Sequence, residues 1–161
     1  MKRESSDEAC FGAGCFWHVQ ELFDKTKGII ETEAGYMGGN EKKYPNPSYK
    51  DVCSNKTGYV EVVFVRFNPN TISYKELLNI FLNSHDPSQL NRQGLDIGSQ
   101  YRSVIFYYNT QQKKEALNVI KEYKENLGKE IVTQIIKAKK FFRAEEYHQG
   151  YYKKNNLTCG I

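Results

Sequence analysis

Cys15 stands directly after the turn Gly12-Ala13-Gly14 and directly before Phe16 and Trp17, the one tryptophan of the chain. A cysteine at the first turn of a helix lies beside unpaired backbone N–H groups and the positive end of the helix dipole, both of which favour the thiolate. That placement offers a nucleophilic or redox-active thiol; a small buried hydrophobe is the reading the same context leaves open. Phe16 and Trp17 either pack into the core or wall a pocket for a small apolar group. A second group of interest is Glu61, set in the apolar stretch Val60 to Val63. A carboxyl group in apolar surroundings holds its proton to higher pH and can donate it near neutrality. On pattern alone, however, Glu61 reads as the solvent-facing member of its strand.

These groups need elements to position them. A first strand is expected from about Glu8 to Gly12, and a helix from near Cys15, with Cys15, Val19, Leu22 and Phe23 on one 3.6-residue face. Gly28 stops it. Ile29 to Tyr36 reads as a strand, Met37 to about Thr57 as a long loop, and Tyr59 to Phe67 as a strand buried on both faces. Ser73 with Glu76 three residues on is a capping box opening a helix with the stripe Tyr74, Leu77, Leu78 and Phe81. A second long loop spans His85 to Gln100. Arg102 to Tyr108 is then a strand, Thr110 to Leu127 a helix with Leu117, Ile120, Tyr123 and Leu127 inward, and Ile131 to Ala138 a strand. A short last helix is expected near Ala144 to Tyr152. This β-α-β-β-α-β order predicts an α+β, two-layer sandwich: a ferredoxin-like split βαβ core with a mixed sheet and additional C-terminal elements.

The chain has 161 residues, without repeats, low-complexity tracts or a Pro/Gly/Ser linker, and residues 1–161 are expected to form a single domain. Net charge is +4, but Lys113, Lys114, Lys121, Lys124 and Lys129 fit a solvated helix face, so no nucleic-acid partner is expected. No apolar run reaches the length of a membrane span and residues 1–8 carry no secretory pattern, so the expected location is cytoplasmic and reducing. In that setting Cys10, Cys15, Cys53 and Cys159 are not expected to form structural disulfides.

The string Gly14-Cys15-Phe16-Trp17 resembles the signature of the A-type peptide methionine sulfoxide reductases. Further matches follow in order: Gly35-Tyr36-Met37-Gly38-Gly39, Asn46-Pro47-Ser48-Tyr49, Val52-Cys53-Ser54, Thr57-Gly58-Tyr59-Val60-Glu61-Val62, His85-Asp86-Pro87, Asn91 to Ser103, and Ala144-Glu145-Glu146-Tyr147-His148-Gln149. Together they cover about residues 8 to 159. The resemblance implies reduction of the S-epimer of methionine sulfoxide, in oxidised proteins or free, with recycling by a thioredoxin-type reductant and without a cofactor or metal. It implies that Cys15 attacks the sulfoxide sulfur and Glu61 protonates the oxygen. Tyr49 and Tyr101 would hydrogen-bond that oxygen, Phe16 and Trp17 would hold the methyl group, and Asp96 would organise the site and orient the substrate backbone. Attack leaves a sulfenic acid on Cys15, which a second thiol resolves; Cys159 resembles the family's C-terminal recycling cysteine. Cys10 and Cys53 are expected to be buried small residues. The sequence departs from the family's usual pattern at Ala13, Tyr59 and Asn68, of which Tyr59 bears on the surroundings of Glu61.

A different chemistry uses part of the same set. A cysteine hydrolase or acyltransferase would pair Cys15 with His85 or His148, and it requires a cysteine–histidine contact. A metal site would draw on Cys10, Cys15, His18, Cys53 and His85, but the chain has neither a Cys-x-x-Cys pair nor His-x-x-x-His spacing. A non-enzymatic binding module would leave the tuned cysteine, the carboxyl group and the terminal cysteine without a use.

Overall fold

A computed structural model describes residues 6–157. Strand β1 (Asp7–Ala13) leads into helix α1 (Phe16–Asp24) and strand β2 (Ile29–Met37). The short helix α2 (Tyr49–Cys53) precedes β3 (Val60–Phe67) and helix α3 (Tyr74–Asn83). A hairpin, β4 (Arg92–Gln93) and β5 (Asp96–Ile97), and a 3-10 turn (Ser99–Tyr101) come before β6 (Ser103–Tyr107). Helix α4 (Thr110–Leu127), β7 (Gln134–Lys137), β8 (Phe142–Arg143), a 3-10 turn (Glu146–His148) and α5 (Tyr151–Lys154) complete the described chain.

Six strands form one sheet in the order β7-β6-β1-β3-β2-β8. β3 lies antiparallel between β1 and β2, which therefore run parallel to each other with a strand between them. That is the split βαβ unit expected from the sequence. β6 pairs antiparallel with β1, and α4 carries the chain over to β7, the one parallel neighbour. The sheet is mixed, as expected.

Period-two alternation assigns each strand residue to a layer. Ala9, Phe11 and Ala13 of β1, Val63, Val65 and Phe67 of β3 and Ile105 of β6 meet Val19 and Phe23 of α1 and Leu77, Leu78 and Phe81 of α3 in the main core. Phe11 anchors it, with its ring stacked 5.6 Å from Phe23 and 5.1 Å from Phe81. Cys10, Val60, Val62, Val104 and Phe106 point the other way into a smaller cluster with Met37. The phase of β3 settles one question directly: Glu61 is in register with Val63, Val65 and Phe67 and faces the main core, where it is 1 % exposed. The solvent-facing reading of Glu61 is overturned.

The helix ends follow their sequence signals. Ser73 and Glu76 form the capping box of α3, and Ser48 with Asp51 forms another on α2. Asn109 caps α4, and Gly128 ends it in the left-handed conformation. Three expectations are corrected. The inward stripe of α4 is Ala116 and Val119, with Ile120 and Tyr123 packed at its edge, whereas Leu117 and Leu127 are exposed. A 3.6-residue period that contains Ala116, Val119, Ile120 and Tyr123 leaves Leu117 off the face, whereas Leu127 is in phase with it but is the last residue of the helix. The stripe on α1 contains the buried polar Gln20, while Leu22 is only partly covered. The last helix is shorter than expected, because β8, a 3-10 turn and α5 divide residues 142–154 among them. The two long loops also hold structure of their own, α2 in the first and the β4–β5 hairpin in the second. Among the described residues no helix is long and apolar enough to cross a membrane.

Candidate active site

β1 ends in the glycine turn, and the chain enters α1 with Cys15 as the N-cap residue. Gly14 has a φ of +89°, which an L side chain rarely adopts, and Gln93 of the hairpin lies 2.9 Å from where a Cβ would stand. Glycine here brings the second long loop down onto the cysteine. Cys15 is partly exposed. Its sulfur receives the backbone N–H groups of Trp17 and His18, which stabilise the thiolate as expected for a helix start. Burial opposes them and prevails, helped by the charges of Glu61 and Asp96, and the thiol is pushed up to about 12. The expectation of a readily formed thiolate in the free protein is therefore corrected. The helix start lowers the thiol's pKa, but the surrounding low-dielectric wall raises it by more.

Opposite the thiol lies Glu61. Its Oε1 accepts the Phe16 N–H at 3.3 Å, and its buried Oε2 has no hydrogen-bond partner among the described residues. Burial, with a smaller contribution from the Asp96 charge, outweighs the Phe16 bond and raises the carboxyl group to about 8. Glu61 is thus mostly a neutral acid at pH 7, with one oxygen unclaimed by the protein. That neutrality also relieves Cys15 of the carboxylate charge.

Aromatic rings enclose this pair. Phe16 stacks against Tyr49 at 6.5 Å and lies 5.8 Å from Tyr36. Trp17 donates its Nε1–H to His148 Nδ1 at 2.9 Å and stacks on Tyr151 at 3.7 Å. His148 is fully buried among Phe16, Trp17, Tyr49 and Tyr147. An indole N–H can only donate, so His148 Nδ1 must be the accepting nitrogen. Burial lowers the His148 pKa against the pull of Glu145, which keeps the ring neutral and the indole bond intact. The Tyr49 hydroxyl engages both the Cys53 thiol and the Tyr101 hydroxyl. Burial keeps both phenols protonated, raising Tyr49 far above its ordinary range and Tyr101 to about 12.

Several of these groups were not singled out in the sequence for what they do here. Glu145 accepts from Tyr36 Oη at 3.1 Å, from the Tyr49 N–H at 3.2 Å and from Tyr147 Oη at 3.2 Å. Burial works against its charge, but these bonds together hold it below the usual carboxylate range. Gln149 clips the C-terminal segment to β2, accepting the Ala34 N–H at 2.9 Å and donating to Ala34 O at 2.8 Å. Gln20 reaches the same clip, with its Nε2 3.3 Å from Gln149 Oε1. The only local sign of this arrangement is a glutamine on the apolar side of α1.

Every expected site residue among the described ones falls on this cleft: Cys15, Phe16, Trp17, Tyr49, Glu61 and Tyr101, with Asp96 on the hairpin at its rim. Cys159 lies outside the described residues. Cys10 is buried as expected, but Cys53 is exposed, because α2 presents Val52 rather than Cys53 to the core. The side chain of Tyr59 serves the first long loop. Its hydroxyl donates to Tyr44 O at 2.7 Å and its ring covers Gly39, so it fastens the first long loop. Neither candidate histidine is placed for a hydrolase. His85 Nδ1 lies 2.7 Å from Phe81 O and Nε2 2.7 Å from Ser103 Oγ, and burial lowers it to about 4. His148 is committed to Trp17. Among the described residues no group of three or more His, Cys, Asp or Glu could hold a metal ion.

A thiol close to a neutral carboxylic acid inside an aromatic wall, on a split βαβ sheet, is an arrangement suited to thiol chemistry assisted by an acid, with no histidine base at hand. The model of the peptide methionine sulfoxide reductase family matches residues 7–160, and the chain belongs to that family. It is 47% identical to peptide methionine sulfoxide reductase MsrA of Sulfolobus acidocaldarius over 91% of this chain and 82% of that protein. Its structure is similar to the reduced form of Mxr1 from Saccharomyces cerevisiae, with a TM-score of 0.92 at 35% identity, covering 99% of this chain and 91% of the other. Mxr1 in complex with Trx2 is similar with a TM-score of 0.65 at 26% identity, over 93% and 87% of the two chains.

Proposed function

We propose that this chain, as a single reductase domain, reduces the S-epimer of methionine sulfoxide in proteins or as the free amino acid, with Cys15 and Glu61 as the reacting groups. The observation that carries the reading is the buried Glu61, held as a neutral acid beside the thiol. A sulfoxide oxygen leaves poorly unless a proton reaches it as the sulfur is attacked. Phe16 and Trp17 receive the methyl group, with His148 fixing the indole. Tyr49 and Tyr101 donate to the sulfoxide oxygen, and Asp96 orients the substrate backbone from the hairpin.

In the first step the Cys15 sulfur attacks the sulfoxide sulfur while Glu61 gives its proton to the oxygen. The proton lost by the thiol balances the one that Glu61 supplies. The products are the thioether of methionine and a sulfenic acid on Cys15, so the oxygen has moved from one sulfur to the other. In the second step the Cys159 thiol condenses with the sulfenic acid to give a disulfide and water. A thioredoxin-type dithiol then reduces the disulfide and is itself oxidised. The likeness to Mxr1 bound to Trx2 supports a reductant of that class, and the free thiols of Cys10, Cys15 and Cys53 suit a reducing, cytoplasmic setting.

The test is turnover of the two separated epimers by the reduced protein with dithiothreitol. Loss of the S-epimer with little of the R-epimer is expected. Equal rates, or reduction of R alone, would refute the assignment.

A further inference from the structure

The two phenols of the cleft come from different loops, and those loops are joined at a second point. Tyr49 opens α2 in the first long loop, and Tyr101 closes the 3-10 turn that follows the hairpin of the second. Their hydroxyls meet in the cleft. Two residues beyond the end of α2, Asn55 Oδ1 accepts the backbone N–H of Ser99 at 2.9 Å and its hydroxyl at 2.6 Å. Ser99 is the first residue of the turn that carries Tyr101. The α2 segment and the turn are thereby tied twice, by Tyr49 and Tyr101 within the cleft and by Asn55 and Ser99 outside it.

The backbone alone does not account for Asn55. Its φ is +64°, a left-handed conformation that asparagine tolerates and glycine adopts more easily. Glycine would serve such a turn; only the side chain reaches the other loop, 44 positions away. Ser99 is also held from its carbonyl side. Its oxygen accepts from Arg102 Nη1 at 2.9 Å, while Arg102 Nη2 donates to Gly58 O at 3.1 Å. Arg102 Nε in turn donates to Gln134 of β7 at 2.9 Å, so this side chain serves the sheet edge as well as the loops. Asn55 has the narrower duty: both hydrogen bonds that its side chain makes among the described residues go to Ser99.

We infer that Asn55 is a positioning residue for the Tyr49–Tyr101 pair, a role that rests on the reductase reading. Two hydroxyls that must reach one sulfoxide oxygen together need a fixed separation, and any freedom left to them is lost only when the substrate binds. Neither α2 nor the Ser99–Tyr101 turn is a strand of the sheet, so side chains must set the distance between them. Asn55 sets it from the solvent side before a substrate arrives, by fixing the N-terminal end of the turn against the end of α2.

The experiment is a set of substitutions assayed on the S-epimer of methionine sulfoxide with dithiothreitol. Asn55→Gly keeps the left-handed backbone and removes the side chain. It should lose about fivefold in kcat/KM, the scale of one exposed hydrogen bond. Asn55→Asp, which still accepts from both Ser99 donors in the same conformation, should recover most of that loss. In a Tyr101→Phe background the turn has no hydroxyl to place, and Asn55→Gly should cost less than about twofold further. Full activity of Asn55→Gly overturns the inference, and so does an equal loss in Asn55→Asp. An undiminished loss in the Tyr101→Phe background overturns it too, since Asn55 would then support the fold without acting through the phenols. Failure of the unmodified protein on the S-epimer would instead strike the reductase reading itself.

Discussion

The two sides of the cleft are built differently. Cys15 and Glu61 stand on β1–α1 and β3, where ladder hydrogen bonds and the main core hold the backbone, and Glu61 is 1% exposed. Tyr49, Asp96 and Tyr101 come from the two long loops or their ends, where the α2 capping box, Tyr59 and the Glu145 bridge fasten the first loop. The comparison teaches a division of labour. The sheet side supplies desolvation, which tunes the protons of the reacting groups. The loop side supplies hydrogen bonds and a rim, which are adjustable and individually worth less. Substitutions on the sheet side should therefore change the chemistry, and those on the loop side should grade it.

The largest effect belongs to Cys15→Ser, which should reduce turnover to background, because no other sulfur occupies the helix start; residual turnover resistant to thiol blocking would break the comparison. Glu61→Gln should lower kcat on the order of 10²-fold, as for loss of a general acid. The matching pH profile of the unmodified protein should hold up to neutrality and fall as pH rises through about 8, where Glu61 gives up its proton. A profile flat to pH 10 would mean that the proton comes from elsewhere.

The same substitution should move stability in the opposite direction. The folded protein holds the Glu61 proton up to about 8, whereas an ordinary glutamate releases it near 4.5. Below the ordinary value both states are protonated and burial costs no ionisation energy. The stability then present is lost as pH rises, until the folded carboxyl also ionises at about 8. Glu61→Gln, which can still accept the Phe16 N–H, removes this loss and should be more stable than the parent by on the order of 3 kcal/mol at pH 7, with the gain vanishing near pH 4. Urea midpoints at the two pH values measure it. A variant less stable at pH 7 would show that Glu61 holds the fold as well as the proton.

On the loop side, Tyr49→Phe and Tyr101→Phe should each cost about tenfold in kcat/KM, the size of one hydrogen bond to a developing charge. Losses as large as that of Glu61→Gln would erase the distinction between the two sides. Cys159→Ser should leave single turnover of the sulfoxide intact and slow dithiothreitol cycling least, while thioredoxin cycling falls roughly tenfold or more because the sulfenic acid is no longer presented as a disulfide. Unchanged thioredoxin cycling would remove Cys159 from the mechanism.

The amino-acid sequence by itself determined what depends on near neighbours. The order of the longer strands and helices, the Ser73–Glu76 capping box, the full extent of Thr110 to Leu127 and the place of Cys15 after a glycine turn all rest on contacts a few residues apart, where periodicity and capping act. The motif set, spread along the whole chain, identified the family because ordered matches accumulate without any knowledge of folding. Tertiary structure decided the protons and the covers. Whether Glu61 faced water or core depended on which layer closed over β3, and the rise of the Cys15 thiol depended on how much protein surrounds the helix start. The Trp17–His148 bond spans 131 positions and the Ala34–Gln149 clip 115. Solvation and long-range pairing are properties of the packed whole, since the cost of burying a charge is set by everything around it in space and hardly at all by the residues beside it in the chain.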